Sequence, residues 1–211
     1  MGWPAEERDV WLRLKLLADV GLVGLPNAGK STFINQVTGT NAKVGAYPFT
    51  TIIPQLGVVR HKSREFVLAD IPGLIEGAAE GAGIGDRFLG HIERCRLLIH
   101  LIDATGDNPL EAYHTVRTEL ENYGSGLSEK PELVALNKGD LLGEELMTDV
   151  AKGLRDEGIT LLTISAATGD GMSALLDQVL EHLPARSSIE RKRAVDELDS
   201  EGDVIDWSPL R

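Results

Sequence analysis

Four short stretches carry residue types that can handle a phosphorylated base. The first is Gly24-Leu25-Pro26-Asn27-Ala28-Gly29-Lys30-Ser31, which fits G-x-x-x-x-G-K-S/T. Glycines in such a loop let the backbone wrap a phosphate with its N–H groups inward, and a following helix start favours negative charge. Lys30 would reach the β- and γ-phosphates, and the Ser31 hydroxyl would bind Mg²⁺. The second is Asp70-Ile71-Pro72-Gly73. Asp70 would hold Mg²⁺ through water, and the Gly73 N–H would meet the γ-phosphate. The third is Asn137-Lys138-Gly139-Asp140. The Asp140 carboxylate can accept from guanine N1–H and N2–H₂, a donor pair that adenine lacks. Asn137 can bond the purine edge, and the Lys138 stem can pack over the ring. The fourth is Ser165-Ala166-Ala167, an S-A-x loop whose backbone N–H can meet guanine O6.

Each stretch needs an element to aim it. Asp19 to Gly24 reads as a buried strand, and Lys30 to Thr38 as a helix with Phe33, Ile34 and Val37 on one side. Gly39 to Pro54 lacks periodicity and reads as a loop. Leu56 to Arg60 and Glu65 to Ala69 form a hairpin. Glycine-rich Ile71 to Gly85 reads as a loop, followed by a helix over Asp86 to Glu93. The rest reads as strands over 96–103, 132–136 and 159–165, and helices over 109–123, 142–156 and 172–183. Alternating strands and helices predict an α/β chain with a mostly parallel central sheet and helices on both faces. The four motifs then stand in order at strand carboxyl ends, where open α/β sheets bind ligands. That order identifies a Ras-like P-loop NTPase fold specialised for guanine.

Composition is compatible with this reading. The chain has 211 residues, 42% of them apolar and 26% charged, as in a globular domain. The single cysteine, Cys95, allows no intramolecular disulfide and suits a reducing, cytoplasmic setting. It opens a strand and is expected to be buried and inert. No apolar run approaches the roughly 20 residues of a membrane helix. The net charge is −12, but it is unevenly spread. Residues 1–106 hold eleven acidic and eleven basic residues, whereas residues 107–184 hold fifteen and five. The half with the phosphate loop is neutral and the base-reading half is acidic, so a surface facing nucleic acid fits the former better.

Three longer stretches resemble the Obg (CgtA) GTPases. They are LKLLADVGLVGLPNAGKST from Leu14, YPFTTIIPQLGVV from Tyr47, and DIPGLIEGAAEGAGIGDRFLGHIER from Asp70. The resemblance covers residues 5–183. It implies a GTP-hydrolysing switch that binds GTP, GDP and ppGpp and acts in large-ribosomal-subunit assembly and in growth and stress control. It implies a junction over residues 1–15 after a glycine-rich domain absent here, a GTPase domain over 16–184, and an acidic tail over 185–211. A monomer is expected.

The resemblance also assigns residues. The nucleotide would be held by Gly24, Pro26, Asn27, Ala28, Gly29, Lys30, Ser31, Thr32, Phe49, Thr50 and Thr51. Asp70, Gly73, Asn137, Lys138, Asp140, Ser165, Ala166 and Ala167 complete the set. Thr51 would be the switch threonine, binding Mg²⁺ and the γ-phosphate only with GTP. Lys30, Thr51 and Gly73 would carry the catalytic charge. Leu74 stands where Ras-type GTPases place a water-orienting glutamine, so hydrolysis is expected to be slow or to use another group. Asn27 either helps to hold a K⁺ ion that supplies charge or simply forms the turn. A guanine-nucleotide-sensing module with little hydrolysis is the competing reading.

Overall fold

A computed structural model describes residues 18–38, 43–44, 55–70, 95–124 and 126–184. Seven strands form one sheet: β1 (Val20–Val23), β2 (Lys43–Val44), β3 (Gln55–His61), β4 (Arg64–Asp70), β5 (Leu97–Asp103), β6 (Glu132–Asn137) and β7 (Leu161–Thr163). Their order is β2-β3-β4-β1-β5-β6-β7. From β4 to β7 all pairings are parallel, while β2 and β3 join by antiparallel pairing. Strand β1 lies between β4 and β5, so the chain leaves it at a point where the strand order reverses.

Among the described residues the helices are α1 (Lys30–Thr38), α2 (Pro109–Tyr123), α3 (Glu144–Asp156) and α4 (Met172–His182). Alternation along β5 explains the two layers. Leu97, Ile99 and Leu101 join Phe33 and Ile34 of α1 and Leu175, Leu176 and Val179 of α4 in one core cluster. Ile102 turns to the opposite face, with Leu110 of α2 and Ala151 and Leu154 of α3. Both faces are covered, which is why β5 is apolar nearly throughout rather than at every second residue.

Helix α2 begins and ends where its sequence signals stand. The Asn108 side chain accepts from the Glu111 N–H at 3.1 Å, Pro109 occupies the first turn, and Gly124 at φ 73° closes the end.

Among the described residues the expected elements hold with four adjustments. Lys43–Val44 forms a strand against Leu56 and Gln55 inside the expected loop; two residues at a sheet edge leave no periodicity to read. Helix α3 starts at Glu144 rather than Leu142, because Leu142 is extended after a 3₁₀ turn over Gly139–Leu141. Strand β7 spans only Leu161–Thr163, since the Ile159 N–H turns back to the Leu154 carbonyl of α3 at 3.2 Å. Cys95 is buried but precedes β5, which opens at Leu97. The expected junction over 1–15, the helix over 86–93 and the tail over 185–211 lie outside the described residues.

The β3–β4 hairpin is tied to α4. Arg64 donates to the carbonyls of Leu180 at 2.6 Å, and of Leu183 and Pro184 at 2.8 Å. His61 and Lys62 both reach the Asp177 carboxylate, at 2.7 and 2.5 Å.

Candidate functional site

The loop after β1 turns on three backbone positions with positive φ: Gly24 at 151°, Asn27 at 65° and Gly29 at 94°. A Cβ on Gly24 would stand 2.4 Å from the Leu101 carbonyl oxygen, and one on Gly29 2.3 Å from Asn137 Nδ2. Both glycines are therefore required by sterics as well as by φ. Asparagine tolerates the left-handed region better than most residues, so the turn by itself accounts for Asn27. Ala28 is buried, whereas Pro26 and Asn27 are exposed at the loop crest.

The loop runs straight into α1. Lys30 is its first residue, and the ammonium folds back to donate to the carbonyls of Gly24 at 2.9 Å and Leu25 at 3.1 Å. The cation thus lies across its own loop, beside helix-start N–H groups that have no intrahelical partner. Ser31 and Thr32 follow in the first turn and are exposed. Asp70 ends β4, paired in register with Leu22 of β1 and only 7% exposed. A serine hydroxyl and an aspartate carboxylate are hard oxygen donors of the kind Mg²⁺ takes, with phosphate and water completing its shell. Among the described residues no cluster of three or more His, Cys, Asp or Glu could hold a metal without such help. Phe49, Thr50, Thr51, Gly73 and Leu74 lie outside the described residues.

The residues expected to read a base meet this loop through Asn137, which is 2% exposed at the end of β6. Its Nδ2 donates to the Ala28 carbonyl at 2.8 Å, and its Oδ1 accepts from the Ala166 N–H at 2.9 Å. Asn137 therefore joins the phosphate loop to the S-A-x loop, a role its sequence position alone does not reveal. One amide hydrogen remains for a purine edge. The Ala166 N–H is engaged by Asn137, so Ala167, exposed at the next position, presents the N–H of this loop that has no partner among the described residues. Ser165 is buried; its N–H and C=O bond Asp170 and Gly169, and its hydroxyl accepts from the Thr168 N–H at 3.1 Å.

Lys138 stands in the left-handed region at φ 67°, and its ammonium meets Asp103 Oδ2 at 2.5 Å. Asp103 Oδ1 accepts from the Thr105 hydroxyl at 2.7 Å and from its N–H at 2.9 Å. Partial burial works against this carboxylate, but the bonds from Lys138 and Thr105 outweigh it and hold its pKa below the ordinary value. Neither Asp103 nor Thr105 stands out in the sequence; the only signal is a carboxylate ending an apolar strand. Asp140 lies in the 3₁₀ turn, exposed, with no bond to its carboxylate among the described residues.

Beside the loop, on the α2 face, is a crevice of about 360 Å³ lined by Leu25, Pro26, Ile102, Asp103 and Asn108. On its wall His100, 1% exposed, donates through Nδ1 to Glu132 at 2.8 Å and stacks on Tyr113 with centroids 5.2 Å apart. Arg117 braces the second Glu132 oxygen at 3.2 Å. This network seats α2 on the sheet and so fixes the wall behind the phosphate loop.

The comparisons with known proteins agree with this geometry. Residues 19–138 match the family described as 50S ribosome-binding GTPase. The chain is 66% identical to GTPase Obg of Novosphingobium aromaticivorans and 64% identical to GTPase Obg of Erythrobacter litoralis. Each alignment covers 99% of this chain and 59% of the relative, so the chain spans well under two thirds of those proteins. Among solved structures, Aquifex aeolicus Era bound to GDP·AlF4⁻ superposes with a TM-score of 0.62 at 23% identity, covering 82% of this chain and 59% of Era. The G domain of the Thermotoga maritima FeoB iron transporter gives 0.58 at 24% identity, over 77% of this chain and 96% of that domain. At such identities the likeness shows the fold. Among the described residues no helix is long and apolar enough to cross a membrane.

Proposed function

The chain belongs to the 50S ribosome-binding GTPase family as a GTPase domain of the Obg type, and from that premise we propose that it binds GTP and GDP and hydrolyses GTP as a molecular switch. The observation that carries this reading is the Asn137 amide, bonded to Ala28 on one side and Ala166 on the other. It makes the phosphate loop and both base-reading loops parts of one site.

In this reading the loop N–H groups of Gly24 to Thr32 and the Lys30 ammonium take the β- and γ-phosphates. Lys30 exchanges its carbonyl partners Gly24 and Leu25 for phosphate oxygens as the nucleotide enters. Ser31, Thr51 and, through water, Asp70 would hold Mg²⁺, which would neutralise phosphate charge. Thr51 and Gly73, with Phe49 and Thr50 alongside, contribute from the switch segments. Asp140 accepts from guanine N1–H and N2–H₂, the Lys138 stem covers the ring, and the Ser165-Ala166-Ala167 loop offers an N–H to O6. ppGpp shares the guanine and the 5′-diphosphate and would be read by the same groups.

Leu74 cannot orient water, so hydrolysis is slow or uses another group. Asn27, on the exposed loop crest, would help to hold a K⁺ ion supplying charge for that purpose. The likeness to Obg supports a role in large-ribosomal-subunit assembly by a monomeric cytoplasmic protein, with part of the ribosome contact made by regions outside this chain.

Single-turnover hydrolysis of labelled GTP with Mg²⁺, in KCl and in NaCl, tests the enzymatic claim. Turnover in KCl that disappears in Lys30→Ala supports it, and equal rates in K⁺ and Na⁺ remove the K⁺ assignment. Tight binding without turnover, with or without large ribosomal subunits, would favour a nucleotide-sensing module instead.

A further inference from the structure

Lysine is a poor reader of a flat, neutral base unless something outside the base holds its charge. Its stem has four carbons and loses rotamer freedom when it is ordered. A partner that anchors the charge beyond the ring's edge leaves the apolar stem, not the ammonium, lying over the ring.

The structure contains such an anchor. Asp103 and Asn137 are register partners on β5 and β6, and the Ala104 N–H donates to the Asn137 carbonyl at 2.9 Å. The two strand ends are therefore fixed to each other one residue before Lys138. Asp103 divides its oxygens: Oδ1 accepts both bonds from Thr105, and Oδ2 takes Lys138 Nζ. Thr105 thus fixes the carboxylate, and the carboxylate fixes the ammonium. The pair is neither deeply buried nor freely solvated, with side chains 29% and 24% exposed. It avoids a large desolvation cost yet is shielded more than a surface pair.

We infer that Asp103, oriented by Thr105, is a positioning residue for base binding, which holds the Lys138 stem in the plane where the purine stacks. The inference rests on the proposed assignment of the base site to guanine. It predicts an effect on nucleotide release that is indifferent to the exocyclic groups of the purine, because a stem covering a ring senses the ring and not its edge. Asp140 has the opposite signature.

The test is dissociation of fluorescently labelled GDP and IDP from Asp103→Asn, Lys138→Met, the double variant and Asp140→Asn. Asp103→Asn should speed release of both nucleotides alike, by roughly three- to tenfold, the range of a partly shielded ion pair. The double variant should be no faster than Lys138→Met alone, and Asp103→Glu should recover part of the loss. Thr105→Ala, on the exposed turn, should give a smaller acceleration of the same kind and serves if Asp103→Asn folds poorly. Unchanged release in Asp103→Asn and Thr105→Ala, or additive effects in the double variant, would overturn the inference. If Asp140→Asn also keeps its GDP affinity, the guanine assignment itself fails; if only Asp140→Asn behaves as stated, the role of Asp103 alone falls.

Discussion

Asn137 donates to the Ala28 carbonyl across 2.8 Å, although the two residues are 109 positions apart in the chain. The bond is buried, so its loss leaves a carbonyl without water to replace the donor. Asn137→Ala should lower stability by about 1–3 kcal/mol and weaken nucleotide binding together. Urea unfolding and nucleotide titration on the same preparation check this. A variant that loses affinity with unchanged stability would show that Asn137 acts on the base and not between the loops.

Arg64 holds the end of α4 to the β3–β4 hairpin through three carbonyls. Bonds from a charged donor exceed neutral ones, and a guanidinium fork spans positions an ammonium cannot. Arg64→Ala should cost about 1–3 kcal/mol in urea unfolding. Arg64→Lys should recover only part of it. Full recovery by lysine would mean that charge, not the fork, is what matters.

The hairpin also sets a pH dependence. Hydrogen bonds from Lys62 and His61 hold the Asp177 carboxyl below the usual carboxylate range. A depressed folded-state pKa stabilises above the unfolded value and is lost as pH falls through the folded value. The window therefore lies below about pH 4. Asp177→Asn should lower stability slightly at neutral pH and flatten the acid limb, so that the two profiles converge at the acid end. An identical acid limb would remove this contribution.

Some of this architecture was legible in the sequence, for identifiable reasons. Helix α2 was readable because Asn108, Pro109 and Gly124 mark its ends chemically. The end of β7 was not, because Ile159 is as apolar as a strand residue yet completes the close of α3. The four motifs were readable because each is a contiguous pattern. The Asp103–Lys138 contact spans 35 positions and exists only because β5 and β6 are neighbours in the sheet. The joining role of Asn137 was hidden for the same reason.

Cys95 offers a chemical check on the core. Burial pushes its thiol up to about 12, against a smaller pull from Lys130. The thiolate is the reactive form. At pH 8, iodoacetamide should label the native chain at least roughly 100-fold more slowly than the urea-unfolded chain, whose thiol returns to an ordinary pKa near 8.5. Comparable rates would place Cys95 in solvent.

The central claim is that these loops read guanine. It is tested most directly by competing labelled GDP from the protein with GDP, ADP and XDP, in wild type and in Asp140→Asn. Wild type should release the label to GDP but not to ADP, and Asp140→Asn should lose GDP and prefer XDP. Displacement by ADP as effective as by GDP, or undiminished GDP affinity in Asp140→Asn, would contradict it.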